Sequence, residues 1–194
     1  MGELPTDTAQ LFLHMDVDVR DATRLLRGND LENYLTPVVH RLRHWRFVFV
    51  SPRKQVGGGS RVIVGSAEPR ADLPEMAAWG HFSCRAGAGS QEKRWNCGPR
   101  SALRGPSRYR AGQWRCTLAW RCSATRNWVW LWKPTGDAMG PVLGEPDACH
   151  PFNPNDDRIV ALALHLNADP ATGHEVDVAM WWRPSISAIR WPER

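Results

Sequence analysis

Three tracts of this chain alternate apolar and polar residues strictly enough to fix their conformation. Leu11, Leu13, Met15, Val17 and Val19 interleave with Phe12, His14, Asp16 and Asp18. Val160, Leu162, Leu164 and Leu166 follow the acidic pair Asp156 and Asp157, and Val176, Val178, Met180 and Trp182 follow the tract NADPATGH. A period of two makes each tract a strand with one buried face. The turn-rich NADPATG tract between the last two predicts an antiparallel hairpin over residues 157 to 182, turning near Asp169 to Gly173. Phe47 to Ser51 and Arg61 to Val64 read as another pair of strands across QVGGG. That glycine run lacks the Gly-Lys-Ser/Thr of a phosphate-binding loop, so it is a turn. Residues 114 to 120 add a strand with Trp114, Cys116, Leu118 and Trp120 on one face.

Two helices complete the pattern. Leu31, Tyr34, Leu35, Val38 and Leu42 recur at helical spacing behind Asn29 or Asp30 as a cap, with Pro37 at a kink or near the start. The tract NWVWLWKPTGDAM (127 to 139) reads as the second, carrying Lys133 and Asp137 one turn apart. Trp128, Trp130 and Trp132 within it suit either core packing or a base-stacking platform. The expected fold is α+β, with short antiparallel strands and helices packed on one face. The order of strand, helix with a proline and two further strands occurs twice, which reads either as a duplication or as chance. The corresponding division is an N-terminal half over 1–66, a connecting segment over 67–112 and a C-terminal half over 113–194.

With 194 residues the chain is long enough for one well-buried core. There is no secretory leader and no apolar run near 18 residues, so a cytoplasmic protein without a membrane partner is expected. Five cysteines at irregular spacings, with no C-x-x-C, argue against a disulfide framework or a zinc knuckle. The net charge of +5 is concentrated: residues 85 to 115 hold eight Lys/Arg against Glu92 alone, a balance of +7, leaving −2 for the rest. Trp95, Tyr109 and Trp114 are interleaved with those cations. Such a segment suits phosphate contact and base stacking, with Arg104, Arg108 and Arg110 as candidate nucleic-acid-binding residues. It also reads as a solvated loop or as a locally mis-encoded stretch.

Set together, DLEN at Asp30 to Asn33, KPTGDAM at Lys133 to Met139 and NDDRIVALALHL at Asn155 to Leu166 resemble the RusA-type Holliday junction resolvases. The family pattern is D-x-D-N, a lysine three residues after the Asn, an Asp four after that, and later a D-D pair opening a long strand. The C-terminal resemblance covers about 60 residues. It implies a RusA-like fold, in a dimer or a pseudo-dimeric monomer, and a magnesium-dependent endonuclease acting on branched DNA. Mg²⁺ would then be held by Asp30, Glu32 and Asp157, with Lys133 and Asp157 as the catalytic pair. Oxygen ligands suit magnesium, which lowers the pKa of an attacking water, and a lysine neutralises charge developing on phosphate.

The match is divided between the halves. In the C-terminal copy the acids and the Asn fall on Asn127, Val129 and Trp130, while in the N-terminal copy the lysine and helix Asp fall on Thr36 and His40. Any site is therefore a composite, requiring both helix starts to meet. Asp30 and Glu32 also suit a plain N-cap and first-turn acid, and Asp156 and Asp157 a loop end. The competing expectation is a catalytically inactive structural or interaction protein with the same fold.

Overall fold

The computed structural model describes residues 10–25, 30–42, 47–68, 79–86, 112–123, 126–144 and 154–185. Among them, seven strands form one sheet: β1 (Leu11–Val19), β2 (Phe47–Val56), β3 (Arg61–Ser66), β4 (Gly80–Ala86), β5 (Trp114–Cys122), β6 (Ile159–Ala168) and β7 (Val176–Pro184). Their spatial order is β3-β1-β2-β6-β5-β7-β4. Helix α1 spans Leu31–Leu42, α2 Trp132–Asp137 and α3 Gly140–Leu143, with a 3₁₀ turn over Trp128–Leu131 leading into α2. The fold is α+β, as expected. No described helix is long and apolar enough to cross a membrane.

The sheet is mixed, which corrects the expectation of antiparallel strands. β1 runs parallel to β2, and β5 parallel to β6, while the remaining neighbours are antiparallel. Neither expected hairpin is a paired hairpin. β6 and β7 turn at a 3₁₀ segment over Pro170–Thr172 as expected, yet β5 lies between them and bonds to both. β1 lies in the same way between β2 and β3. Each connection thus crosses the end of one strand and spans two strand spacings, about 9.6 Å.

The crossing loops explain their own composition. Gly57, Gly58 and Gly59 have φ of 76°, 93° and 74°, a region costly to any residue with a Cβ. The Gly59 N–H donates to Asp18 (3.1 Å) and the Asp18 N–H to the Ser60 hydroxyl (2.9 Å), pinning the loop to the end of β1. In the other loop, the Asp169 N–H donates to the Cys122 carbonyl at 2.9 Å and Arg121 Nε to the Asp169 carboxylate at 2.8 Å. β4 arises within the connecting segment, where sequence periodicity indicated no element, and pairs with β7 along its length.

One face of the sheet carries the main core. Leu11, Leu13, Met15 and Val17 of β1 pack with Leu31, Leu35 and Val39 of α1, and Trp114, Cys116, Leu118 and Trp120 of β5 with Trp128, Trp132, Met139 and Leu143. The helices lie on this one face. Trp120 donates its indole N–H to the Thr135 hydroxyl at 3.1 Å, and Thr135 donates to the Leu131 carbonyl at 2.7 Å. On the opposite face Asp16 is fully buried, bound by Arg53 of β2 and Arg61 of β3. Those two guanidiniums, Arg53 foremost, overcome burial and hold its carboxyl below the usual carboxylate range. Cys84, Cys116 and Cys122 are free thiols; Cys97 and Cys149 lie outside the described residues.

Candidate functional site

The first turn of α1 forms because Asp30 caps it: its carboxylate accepts from the Asn33 N–H at 2.7 Å. Glu32 lies in that same first turn, a position favoured by the helix dipole. In the other half, Asn127 caps the 3₁₀ turn by accepting from the Val129 N–H at 3.3 Å, and Lys133 follows in α2. The start of β6 is fixed by Arg158. Its guanidinium donates to the carbonyls of Leu143 (2.8 Å) and Gly112 (3.0 Å), while the Asn155 N–H donates to Gly144 (2.8 Å). Asp156 and Asp157 are held in the short 3₁₀ turn between these anchors.

These elements converge. Asp30, Leu31, Glu32 and Leu35 of the α1 region, Trp132 and Gly136 of α2, Leu118, and Asp156, Ile159, Leu162 and Leu164 line one cleft. Its floor is apolar and its rim acidic. Lys133 Nζ lies 2.7 Å from Asp137 Oδ1 and 3.4 Å from Asp156 Oδ2, so the lysine bridges α2 and the β6 start. Glu32 lies in the fields of Lys133, Asp30, Asp137 and Asp156, and Asp157 in those of Lys54, Arg158 and Asp30. Of the residues singled out in the sequence, Asp30, Glu32, Lys133 and Asp157 are thus brought to one place. Arg104, Arg108 and Arg110 lie outside the described residues.

Sequence reasoning missed Lys54. It is the buried lysine of β2, 6% exposed, and its Nζ donates to the Asp157 carbonyl at 2.6 Å. The signal was present: Val50, Pro52 and Lys54 are all buried at a period of two, but the strand as read ended at Ser51.

Electrostatics in the cleft follow from burial and two ammonium groups. Burial pushes the Glu32 carboxyl up to about 7 against the pull of Lys133, and raises Asp156 and Asp157 less far against Lys133 and Lys54 respectively. Burial opposes the Lys133 charge too, but Asp137, Asp156 and Glu32 outweigh it and keep it above the ordinary lysine value. For Lys54 burial wins and the value falls, although Asp157, Asp30 and Asp156 oppose this.

A test of Glu32 follows from its sign. The folded value lies above the ordinary 4.5, so the native state holds this proton longer and loses stability as pH climbs from about 4.5 through about 7. Because the side chain is partly solvated, the expected loss is reduced to about 1–2 kcal/mol. Glu32→Gln should remove this slope and be more stable than the unmodified chain at pH 8. Urea melts at pH 5 and pH 8 check it; an unchanged slope in the variant would refute the assignment.

Magnesium requires several oxygen ligands at once. The donor atoms here are of the right kind, but among the described residues no three His, Cys, Asp or Glu side chains are arranged to hold a metal ion. Asp30 is engaged in capping, and Asp156 and Asp137 face Lys133. The arrangement described does not fit the ion. No family model, curated protein or solved structure matches this chain.

Proposed function

We propose that this chain is a nucleic-acid-binding protein of RusA-like resolvase descent, made of two similar units in one polypeptide. The observation that carries the reading is the meeting of the α1 start with α2 and the β6 start, elements more than 90 residues apart in the chain that bring Asp30, Glu32, Lys133 and Asp156 to one cleft. The strand pattern supports the two-unit reading. In β1-α1-β2-β3 and in β5-α2-α3-β6-β7 alike, the first strand is parallel to the second and antiparallel to the third. The units join through the antiparallel pair β2 and β6, as an internal dyad requires.

In this reading the basic segment between Arg85 and Arg115 grips the phosphates of branched DNA, because the cleft rim itself is acidic. Replacing Arg104, Arg108 and Arg110 with Gln should weaken junction binding. It should also make the dependence of log K on log salt shallower by up to about 3, close to one unit per lost phosphate contact. Gel-shift titrations across a salt series measure this, and an unchanged slope would show the segment to be a bystander.

An endonuclease form of the reading needs Mg²⁺ on Asp30, Glu32 and Asp157. When bound, the ion would supply an activated water and neutralise the scissile phosphate. The catalytically silent form is favoured by a specific observation: Lys54 is buried with its ammonium on the Asp157 main-chain carbonyl, in the fields of Asp157, Asp30 and Asp156.

A further inference from the structure

The sheet has a second face, and strand register arranges its side chains in rows. Alternation turns Phe12, His14 and Asp16 of β1 and Phe49, Ser51 and Arg53 of β2 away from the helices, which pack on the other side. Phe12 pairs with Phe49, which sets two aromatic side chains on neighbouring strands about 4.8 Å apart at the backbone. Both are half-buried. The Phe12 ring lies across Gly65 of β3, where a Cβ would stand 2.6 Å from a ring carbon, and His165 of β6 backs the Phe49 ring at 4.7 Å.

Four residues further along β2, about 13 Å from Phe49, a row of cations crosses the sheet. Asp16 pairs in register with Arg53 on one side and Arg61 on the other, and each guanidinium meets its carboxylate through Nε. Neither fork makes a further bond among the described residues, and the two side chains are 47% and 60% exposed. His14 adds to the hold, its Nε2 donating to Asp16 at 3.1 Å while its Nδ1 meets the Ser51 hydroxyl at 2.9 Å. Two guanidiniums against one carboxylate leave a positive charge fixed in place. The row continues, because Arg53 pairs with Ala161, Ala161 with Arg115, and Arg115 with Arg183. From Arg61 to Arg183 it spans five strand spacings, about 24 Å. Asp18, the other acid of β1 on this side, accepts from the Gly59 N–H beyond the row.

Ring faces and guanidinium forks are complementary to different parts of one nucleic acid strand, since bases stack on the first and phosphates bond to the second. The row is too long for a single nucleotide, and a duplex keeps its base faces stacked inside. We propose that this face binds single-stranded DNA, with bases on Phe12 and Phe49 and phosphates on Arg53 and Arg61. This rests on the nucleic-acid reading and adds to it a contact for the unpaired strand of a branched molecule, made by residues other than Arg104, Arg108 and Arg110.

The experiment is fluorescence anisotropy of the full chain with a labelled oligothymidylate of about 12 nucleotides, within the range of known single-strand sites. Phe12→Leu combined with Phe49→Leu keeps apolar volume but removes both rings, and should weaken binding at least about fivefold, the effect of one lost stacking contact. Arg61→Gln, which leaves Arg53 on Asp16, should make the dependence of log K on log salt shallower by about 0.7. Trp130→Ala removes an exposed ring beside α1 and should change neither quantity. Equal effects of the Leu pair and Trp130→Ala would overturn the proposal, as would displacement by inorganic phosphate alone at constant ionic strength, or tighter binding of an oligouridylate of the same length. If the Leu pair does not fold, photocrosslinking of the unmodified chain to a strand carrying 5-iodouracil decides: adducts in β1 or β2 support the proposal, and adducts found only elsewhere overturn it. Junction binding by a chain that ignores oligothymidylate would sink this proposal and leave the proposed function standing. Oligothymidylate bound through the two rings by a chain that ignores junctions would do the reverse.

Discussion

Trp120→Ala is expected to cost about 3–5 kcal/mol, enough to unfold much of the population of a domain of ordinary stability. Trp120 is fully buried in the C-terminal half of β5 and stands edge-on to Trp128, ring centroids 5.5 Å apart, while Trp128 stands edge-on to Trp132 at 5.1 Å. The alanine variant would lose the buried ring, the aromatic contact and the hydrogen bond to Thr135 that ties β5 to the start of α2. It would also loosen the backbone that carries Lys133. Trp130→Ala is the internal control. Trp130 is 69% exposed, touching His40 edge-on at 6.2 Å, and its loss should change stability by no more than about 0.5 kcal/mol. Urea melts of both variants give the comparison, and similar losses in the two would mean that the tryptophan cluster is not the packing centre described.

The same three tryptophans show what the sequence could and could not say. Their spacing of two resembles a strand, yet 128 and 132 are four apart and so share a helical face, which is the pair that is buried. The strands themselves were legible because alternation fixes which side chains turn inward. Alternation carries no information about which strand is the neighbour, and a short turn between two strands favours a hairpin by default. Here Gly57 to Gly59 and the Asp169 loop are long enough to step over one strand, and β1 and β5 enter the gaps. A triple glycine at positive φ, where two would close a tight turn, is the residue-level trace of that crossing. In the cleft, Asp30, Glu32, Lys133 and Asp157 were reached through motif resemblance rather than periodicity. Lys54 escaped because a lysine late in a strand reads as solvated, and only its register with Val50 and Pro52 shows otherwise.

The unmodified chain is expected to bind a four-way DNA junction and to leave its strands intact in millimolar magnesium. The binding expected rests on the +7 balance of residues 85 to 115, a run of cations suited to phosphate contact. The absence of cutting follows from the cleft's own charges. Glu32 has a raised value near 7 and so is in good part protonated at neutral pH, making it a poor ligand for a hard cation. Asp30 is spent on the α1 cap, Lys133 pairs with Asp137 and Asp156, and the Lys54 ammonium is bonded to the Asp157 main-chain carbonyl. A denaturing gel of end-labelled junction after prolonged incubation reads the result directly. Magnesium-dependent nicks that Asp157→Asn abolishes and Asp137→Asn largely spares would reverse this expectation, because Asp137 lies one turn beyond the lysine and outside the acid set drawn from the resemblance. In that outcome the two helix starts would form one working site per chain, with α1 supplying carboxylates and the C-terminal unit supplying Lys133 and Asp157. Nicks that survive Asp157→Asn would instead point to a contaminating nuclease, since the start of β6 contributes to every version of the composite site.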